Sequence, residues 1–274
     1  MVKRFFQNRT AVFTTFAVLL IALIGIFAPV IAPNDPYETN IINKFASYSV
    51  QYPLGTDQLG RRVLSRMIFG IRPTLGLAAL TMAGTIGIGA VLGIIAGYFR
   101  GIAEEIIMRI VDVMLSFPSQ IMVFAVVALL GISVQNVIIA NVFIKWAWYA
   151  RMIRTGVMQY RDKNFVQFSR CVGMPERFIL FRHLLPSITS DLAVLASLDI
   201  GWAIINISTL SFLGLGVQAP TPEWGAMLNE AKEVLTSNPT QMLAPGIAIV
   251  ALVCCFNLLG DAMRDVLDPK EVAK

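Results

Sequence analysis

Apolar residues come in long unbroken runs along this chain, and the charged residues gather between them. Residues Pro73 to Phe99 carry no charge, and neither do Val113 to Ile144. A hydrocarbon core about 30 Å thick is crossed by about 20 helical residues, so each run is long enough to span a bilayer. One run could be a buried helix of a soluble protein; several in one chain predict an all-α integral membrane protein. The pattern predicts six transmembrane helices: Ala11–Ala32, Pro73–Gly97, Phe117–Ile132, Asn136–Met152, Ser187–Leu213 and Met242–Leu259. Pro33-Asn34-Asp35-Pro36 ends the first, because proline cannot continue a helix cheaply. Pro73 stands near the start of the second. The third and fourth share the stretch Val113 to Ala150, which as one helix would be about 57 Å long, so a turn is predicted at Gly131, Ser133, Gln135 and Asn136.

Composition agrees with this pattern. Of 274 residues, 56% are hydrophobic and 14% charged, against about 25% charged in a soluble domain. The net charge of +5 does not point to nucleic acid, because the basic residues flank the apolar runs as topology signals do. Ala11 to Ile31 is longer than a signal-peptide core and reads as a span that is kept. Cys171, Cys254 and Cys255 lack metal-ligand spacing and read as packing residues.

Charge also predicts orientation. Lys3, Arg4 and Arg9 precede the first span. Between Arg151 and His183 lie Arg151, Arg154, Arg161, Lys163, Arg170, Arg177 and Arg182 against Asp162 and Glu176. Val217 to Thr240 instead holds Glu223, Glu230 and Glu233 against Lys232. Positive residues stay inside, so the first two segments are predicted cytoplasmic and the third external, with both termini cytoplasmic. The segment Asn34 to Arg72 is then external despite Lys44, Arg61, Arg62, Arg66 and Arg72. Leu59, Val63 and Met67 recur every four residues there. That spacing predicts an amphipathic helix on the membrane surface with snorkelling arginines; the other reading is an ordinary external loop.

Some polar residues fall at membrane depth: Lys145 in the fourth span, and Asp191, Asp199 and Asn206 in the fifth. A charge there costs roughly 2.5–3.5 kcal/mol even on a lenient scale, so it faces protein, water or another charge. Asp191 and Asp199 lie on roughly one helix face. Two readings stand: a polar translocation pathway, or a Lys145–Asp199 pair that locks helices. No phosphate-binding Gly-x-x-x-x-Gly-Lys-Ser/Thr loop and no His-Glu-x-x-His motif occur. The chain therefore reads as neither an ATPase nor a zinc enzyme, with no metal site and no cofactor of its own. Active transport would draw its energy from a partner or an ion gradient.

The cytoplasmic segment Phe165–Ser187 is too polar to span. Phe165, Phe168 and Val172 share a helical face, Gly173 breaks the helix, and Pro175-Glu176 starts another, since proline and an acid both suit a first turn. Phe178, Leu180, Phe181 and Leu184 continue the apolar pattern. Exposed aromatics beside arginines suit a protein partner; alternatively the hairpin packs on its own helices.

This segment resembles the coupling loop of ABC importer permeases, Glu-Ala-Ala, three residues, Gly, nine residues, Ile-x-Leu-Pro. Gly173, Leu185 and Pro186 match at that spacing, while Gln167, Phe168 and Ser169 replace Glu-Ala-Ala and His183 replaces Ile. Further blocks are similar to the peptide/nickel branch: Leu54-Gly-Thr-Asp-Gln-Leu-Gly-Arg61, Ser211-Phe-Leu-Gly-Leu-Gly-Val-Gln218, Pro222-Glu-Trp-Gly-Ala-Met-Leu-Asn229, and Phe256 through Pro269. The resemblance, to the C-type permease of that branch, implies a type I ABC importer permease fold. It divides the chain into 1–72, a first span with its external loop, and 73–274, the permease domain, with the coupling loop at 151–186. It implies an ATPase-docking loop of Gln167, Phe168, Ser169, Gly173, Met174, Pro175, Glu176, Leu185 and Pro186. It also implies a second permease, two ATPase subunits holding ATP and Mg, and an external solute-binding protein. Trp146-Ala-Trp-Tyr-Ala-Arg151, Leu198-Asp-Ile-Gly201 and Ile207 resemble the nickel type more than the peptide type. The expected cargo is nickel or a metal chelate, with a di- or oligopeptide as the alternative. An ion-gradient transporter or a membrane scaffold is the competing class.

Overall fold

A computed structural model of the protein describes residues 2–267. Asp268 and Pro269, the last residues of the C-terminal block, lie outside that range. The described chain is helical: α1 Val2–Gln7, α2 Arg9–Ile26, α3 Ala28–Ile31, α4 Val63–Phe99, α5 Gly101–Ser116, α6 Ser119–Leu130, α7 Val134–Arg161, α8 Asn164–Cys171, α9 Glu176–Phe178, α10 Leu185–Phe212, α11 Trp224–Lys232 and α12 Leu243–Leu267. Ile179–Leu184, between α9 and α10, is wound as a π-helix.

Four of these helical stretches are long and apolar enough to cross a membrane, led by α2, α4, α10 and α12. A fifth candidate is the pair α5–α6, bent by 93° at Phe117-Pro118. Alone, α6 rises about 18 Å, short of a bilayer. The fourth predicted span lies in α7, whose 28 residues exceed the need but carry Lys145, Arg151, Arg154 and Arg161. Outward faces are apolar: Phe13 and Phe16 on α2, Leu80 and Val91 on α4, Ile247 and Val250 on α12 are all exposed. Lipid tails accept such faces where water would not.

Helix α4 begins at Val63 rather than near Pro73, which stands inside it. The surface helix expected around Leu59, Val63 and Met67 is therefore not separate. Val63 is buried in the core, and Arg61 and Arg66 point inward and are almost fully buried. They have no need to snorkel because acidic partners reach them within the protein. The cysteine reading also changes: Cys171 and Cys254 are exposed, and all three thiols are free.

The most extensive helix contact among the described residues joins α4 to α7. Its sequence cause is Gly89, Gly93 and Gly97, one per turn on the face of α4 that meets Tyr149, Ala150, Ile153, Arg154 and Val157. Without side chains the two backbones approach closely, the usual means of packing membrane helices. α10 packs against α12 and α4, and α7 and α10 meet near Lys145 and Asp199.

Candidate functional site

At membrane depth, Lys145 and Asp199 face each other across α7 and α10, with Nζ 3.4 Å from Oδ1. The Tyr149 hydroxyl donates to Asp199 Oδ2 at 2.9 Å. The Lys145 ammonium also sits 4.2 Å from the centre of the Trp202 ring and 4.9 Å from that of Trp148. A 3.4 Å ion pair is long for a charge-assisted hydrogen bond, and the two indole faces supply cation–π attraction beside it. Both side chains keep about one-sixth of their surface, 16% and 17%, so the pair lies at an accessible edge.

The other two polar residues stand apart. Asn206 is buried further along α10 and donates to the Trp202 carbonyl at 3.0 Å. Asp191 is exposed nearer the arginine-rich end, in a groove of about 460 Å³ shared with Met152, Leu195 and Arg264.

In the segment resembling a coupling loop, α8 ends at Cys171 and Gly173 takes φ +75°, a left-handed conformation that favours glycine. Pro175 precedes α9, and the chain re-enters the bundle through the π-helix into α10. Val166, Ser169, Ile179 and Leu184 face inward. Gln167, Phe168, Val172, Met174, Pro175, Glu176 and Phe181 face outward, and Phe168 is 69% exposed. Leu185 and Pro186 open α10. An aromatic and aliphatic patch with no covering element among the described residues, flanked by Arg177 and Arg182, is thus presented at one end of the molecule.

At the opposite end the structure reveals a cluster that periodicity could not. The Arg61 Nε donates to Asp57 Oδ2 at 2.6 Å and its Nη2 to Glu230 Oε2 at 2.6 Å. Arg66 Nη1 reaches Asp57 Oδ2 at 2.7 Å and Glu230 Oε2 at 2.5 Å. Two cations and two anions balance, and Arg66 is only 1% exposed. Nearby, Glu223 is fully buried, caps α11 through the Ala226 amide at 2.9 Å and accepts from Thr74 at 3.3 Å. The Trp224 indole donates to the Met67 carbonyl at 3.0 Å. Asp57 and Arg61 of the block 54–61 thus close one clasp with Arg66 of α4 and with Glu230, the residue that follows the block 222–229.

Membrane helices joined by an exposed, apolar-faced hairpin make the architecture of an ABC importer permease. The chain belongs to the family of binding-protein-dependent transport system inner membrane components, whose model matches residues 89–272. Residues 1–48 match the N-terminal TM domain of oligopeptide transport permease C. The metal-staphylopine import system permease of Staphylococcus aureus is 43% identical over 272 residues, covering 99% of this chain and 94% of that one. The nickel transport system permease of Escherichia coli is 40% identical, covering 94% and 93%. The dipeptide transport system permease of Alkalihalophilus pseudofirmus is 37% identical, covering 98% and 88%. The fold is similar to that of the MetNI methionine ABC transporter in an inward-facing conformation, with TM-score 0.59, 19% identity, and coverage of 74% of this chain and 97% of that one. This chain is accordingly a multi-pass inner-membrane permease of the peptide/nickel branch of ABC importers.

Proposed function

We propose that this permease moves nickel or a metal chelate inward, paired with a second permease and driven by two ATPase subunits that hold ATP and Mg. The observation that carries the cargo assignment is the end-to-end similarity to a metal-staphylopine permease, supported by that to a nickel permease. Solute passes along the α7–α10 face, where Lys145 and Asp199 form a neutral pair at an accessible edge. A neutral pair offers no net attraction to a bare dication, which dehydrates reluctantly and seeks several donors. It suits a complex carrying both carboxylate and cationic groups, and first selection falls to an external binding protein. The peptide reading rests on the dipeptide relative.

Uptake by a strain lacking the gene decides between cargoes. Radioactive nickel uptake is expected to fall to background while labelled dipeptide uptake persists. The reverse pattern, with no second nickel system present, removes the metal reading. In the same strain an Asp199→Asn gene is expected to lower uptake about tenfold, because Lys145 is left largely buried without its counter-charge; wild-type uptake would take Asp199 out of the pathway.

The outward patch of Phe168, Met174 and Phe181 is the proposed docking surface for the ATPase subunits. Phe168→Glu places a charge at the centre of an apolar contact and is expected to cost about 2 kcal/mol of binding or more. The check is co-purification with tagged permease: retained ATPase subunits in the variant would count against this surface.

A further inference from the structure

His183 is the one histidine of the chain. It lies inside the π-helical stretch Ile179–Leu184. A π turn adds one residue, rotating the next turn by about 100° relative to an α-helix, and such turns gather at functional sites. Here the ring is carried onto α8. Its Nε2 is 3.0 Å from the buried Ser169 Oγ. That hydroxyl has a single proton and also lies 3.0 Å from the Phe165 carbonyl. With the Ser169 proton on the Phe165 carbonyl, the Nε2–H tautomer of His183 donates to Ser169; with the proton turned to Nε2, the same bond forms in the other direction. Phe165 and Phe178 hold the imidazole edge-on from both sides, at 5.7 and 5.5 Å between ring centres. Further along the chain, Ser187 at the start of α10 donates to the His183 carbonyl at 2.6 Å.

The inward face of α8 and the start of α10 are thus joined through one residue. α8 has eight residues, and the rest of its attachment includes a buried Val166 and Arg170 stacked on Tyr98 at 5.2 Å. We propose that His183 is the positioning residue that converts movement of the docked α8 into movement of α10, through the Nε2–Ser169 bond. It acts on coupling rather than on docking: its ring is turned inward, away from the outward patch of Phe168, Met174 and Phe181. α10 carries Asp191, Asp199 and Trp202, so a shift at its first turn reaches the polar face directly. The inference rests on the docking reading of this loop.

The test uses the complete transporter in nanodiscs, with its ATPase subunits and binding protein. Two quantities are read: ATPase subunits retained on purification, and nickel moved per ATP hydrolysed, with nickel supplied as its histidine complex and a labelled dipeptide as second probe. His183→Ala is expected to keep the subunits and to lower the transport-to-ATP ratio about fivefold, the scale of one hydrogen bond. His183→Gln, whose amide nitrogen can occupy the place of Nε2, is expected to recover most of the ratio. Ser169→Ala is expected to match His183→Ala, and the double variant to be no worse than either, as for two residues sharing one interaction. A wild-type ratio in His183→Ala, a Gln variant no better than Ala, or loss of the ATPase subunits from His183→Ala would each overturn the proposal. A wild-type chain that holds no ATPase subunits removes the docking reading, and is seen before any variant is made.

Discussion

Glu230→Ala unfolds the clasp between the 54–61 block and α11. It removes one of two anions from a cluster whose two arginines are almost wholly buried, leaving a net positive charge on guanidiniums that have little contact with water. Breaking a buried ion pair by deleting one partner costs about 3–5 kcal/mol, because the remaining charge keeps its desolvation penalty and loses its compensation. Glu230 also bridges regions far apart in the chain, 164 residues from Arg66, so its loss frees 54–61 from α11. The expected result is a lowered melting temperature of the purified transporter in nanodiscs and proteolysis near Gln58. Glu233→Ala, about one turn away on an exposed position, is expected to change stability by less than about 0.5 kcal/mol. Equal melting of the Glu230 variant and wild-type proteins would show that the clasp is not a stabilising element.

Gly93→Leu separates α4 from α7. Even a single methyl at Gly93 would stand 2.6 Å from the Ala150 carbonyl oxygen and 2.9 Å from Ile153 Cβ. The carbonyl is backbone and cannot swing aside, so the helices must part. Overpacking of this kind costs about 1–3 kcal/mol, and a leucine more than an alanine. Because α7 leads almost directly into α8, the displacement also moves the exposed hairpin that follows, and uptake is expected to fall with stability. A methyl on Gly87, in the same helix, would have no neighbour within 4 Å. Gly87→Ala is expected to be neutral, or to gain up to about 1 kcal/mol from helix propensity. Melting temperatures of the two variants, measured side by side, test the packing assignment: equal effects would refute it.

Much of the architecture is legible in local pattern. Unbroken apolar runs locate α2, α4, α10 and α12, because burial in lipid demands about 20 apolar residues in succession whatever the neighbours are. The helix, Gly173 turn and second helix are legible for the same kind of reason, since φ preference and capping act over a few residues. The spacing of Gly89, Gly93 and Gly97 marks one helix face, but it does not name α7 as the helix packed there. The bend between α5 and α6 is not legible, because Phe117-Pro118 ends a helix without stating the angle at which the next departs.

Sequence by itself determined that this is a helical membrane protein, where its apolar helices lie and which loop folds as a hairpin about the Gly173 turn. Hydropathy, proline and glycine act locally, so they can be read locally. Only the tertiary structure decided that Arg61 and Arg66 turn inward to Asp57 and Glu230, and that Lys145 meets Asp199 while Asp191 stands apart. The same is true of His183 reaching back to Ser169. Each depends on which distant residues the packing brings within about 3 Å, and a charge or a ring nitrogen is indifferent to sequence distance.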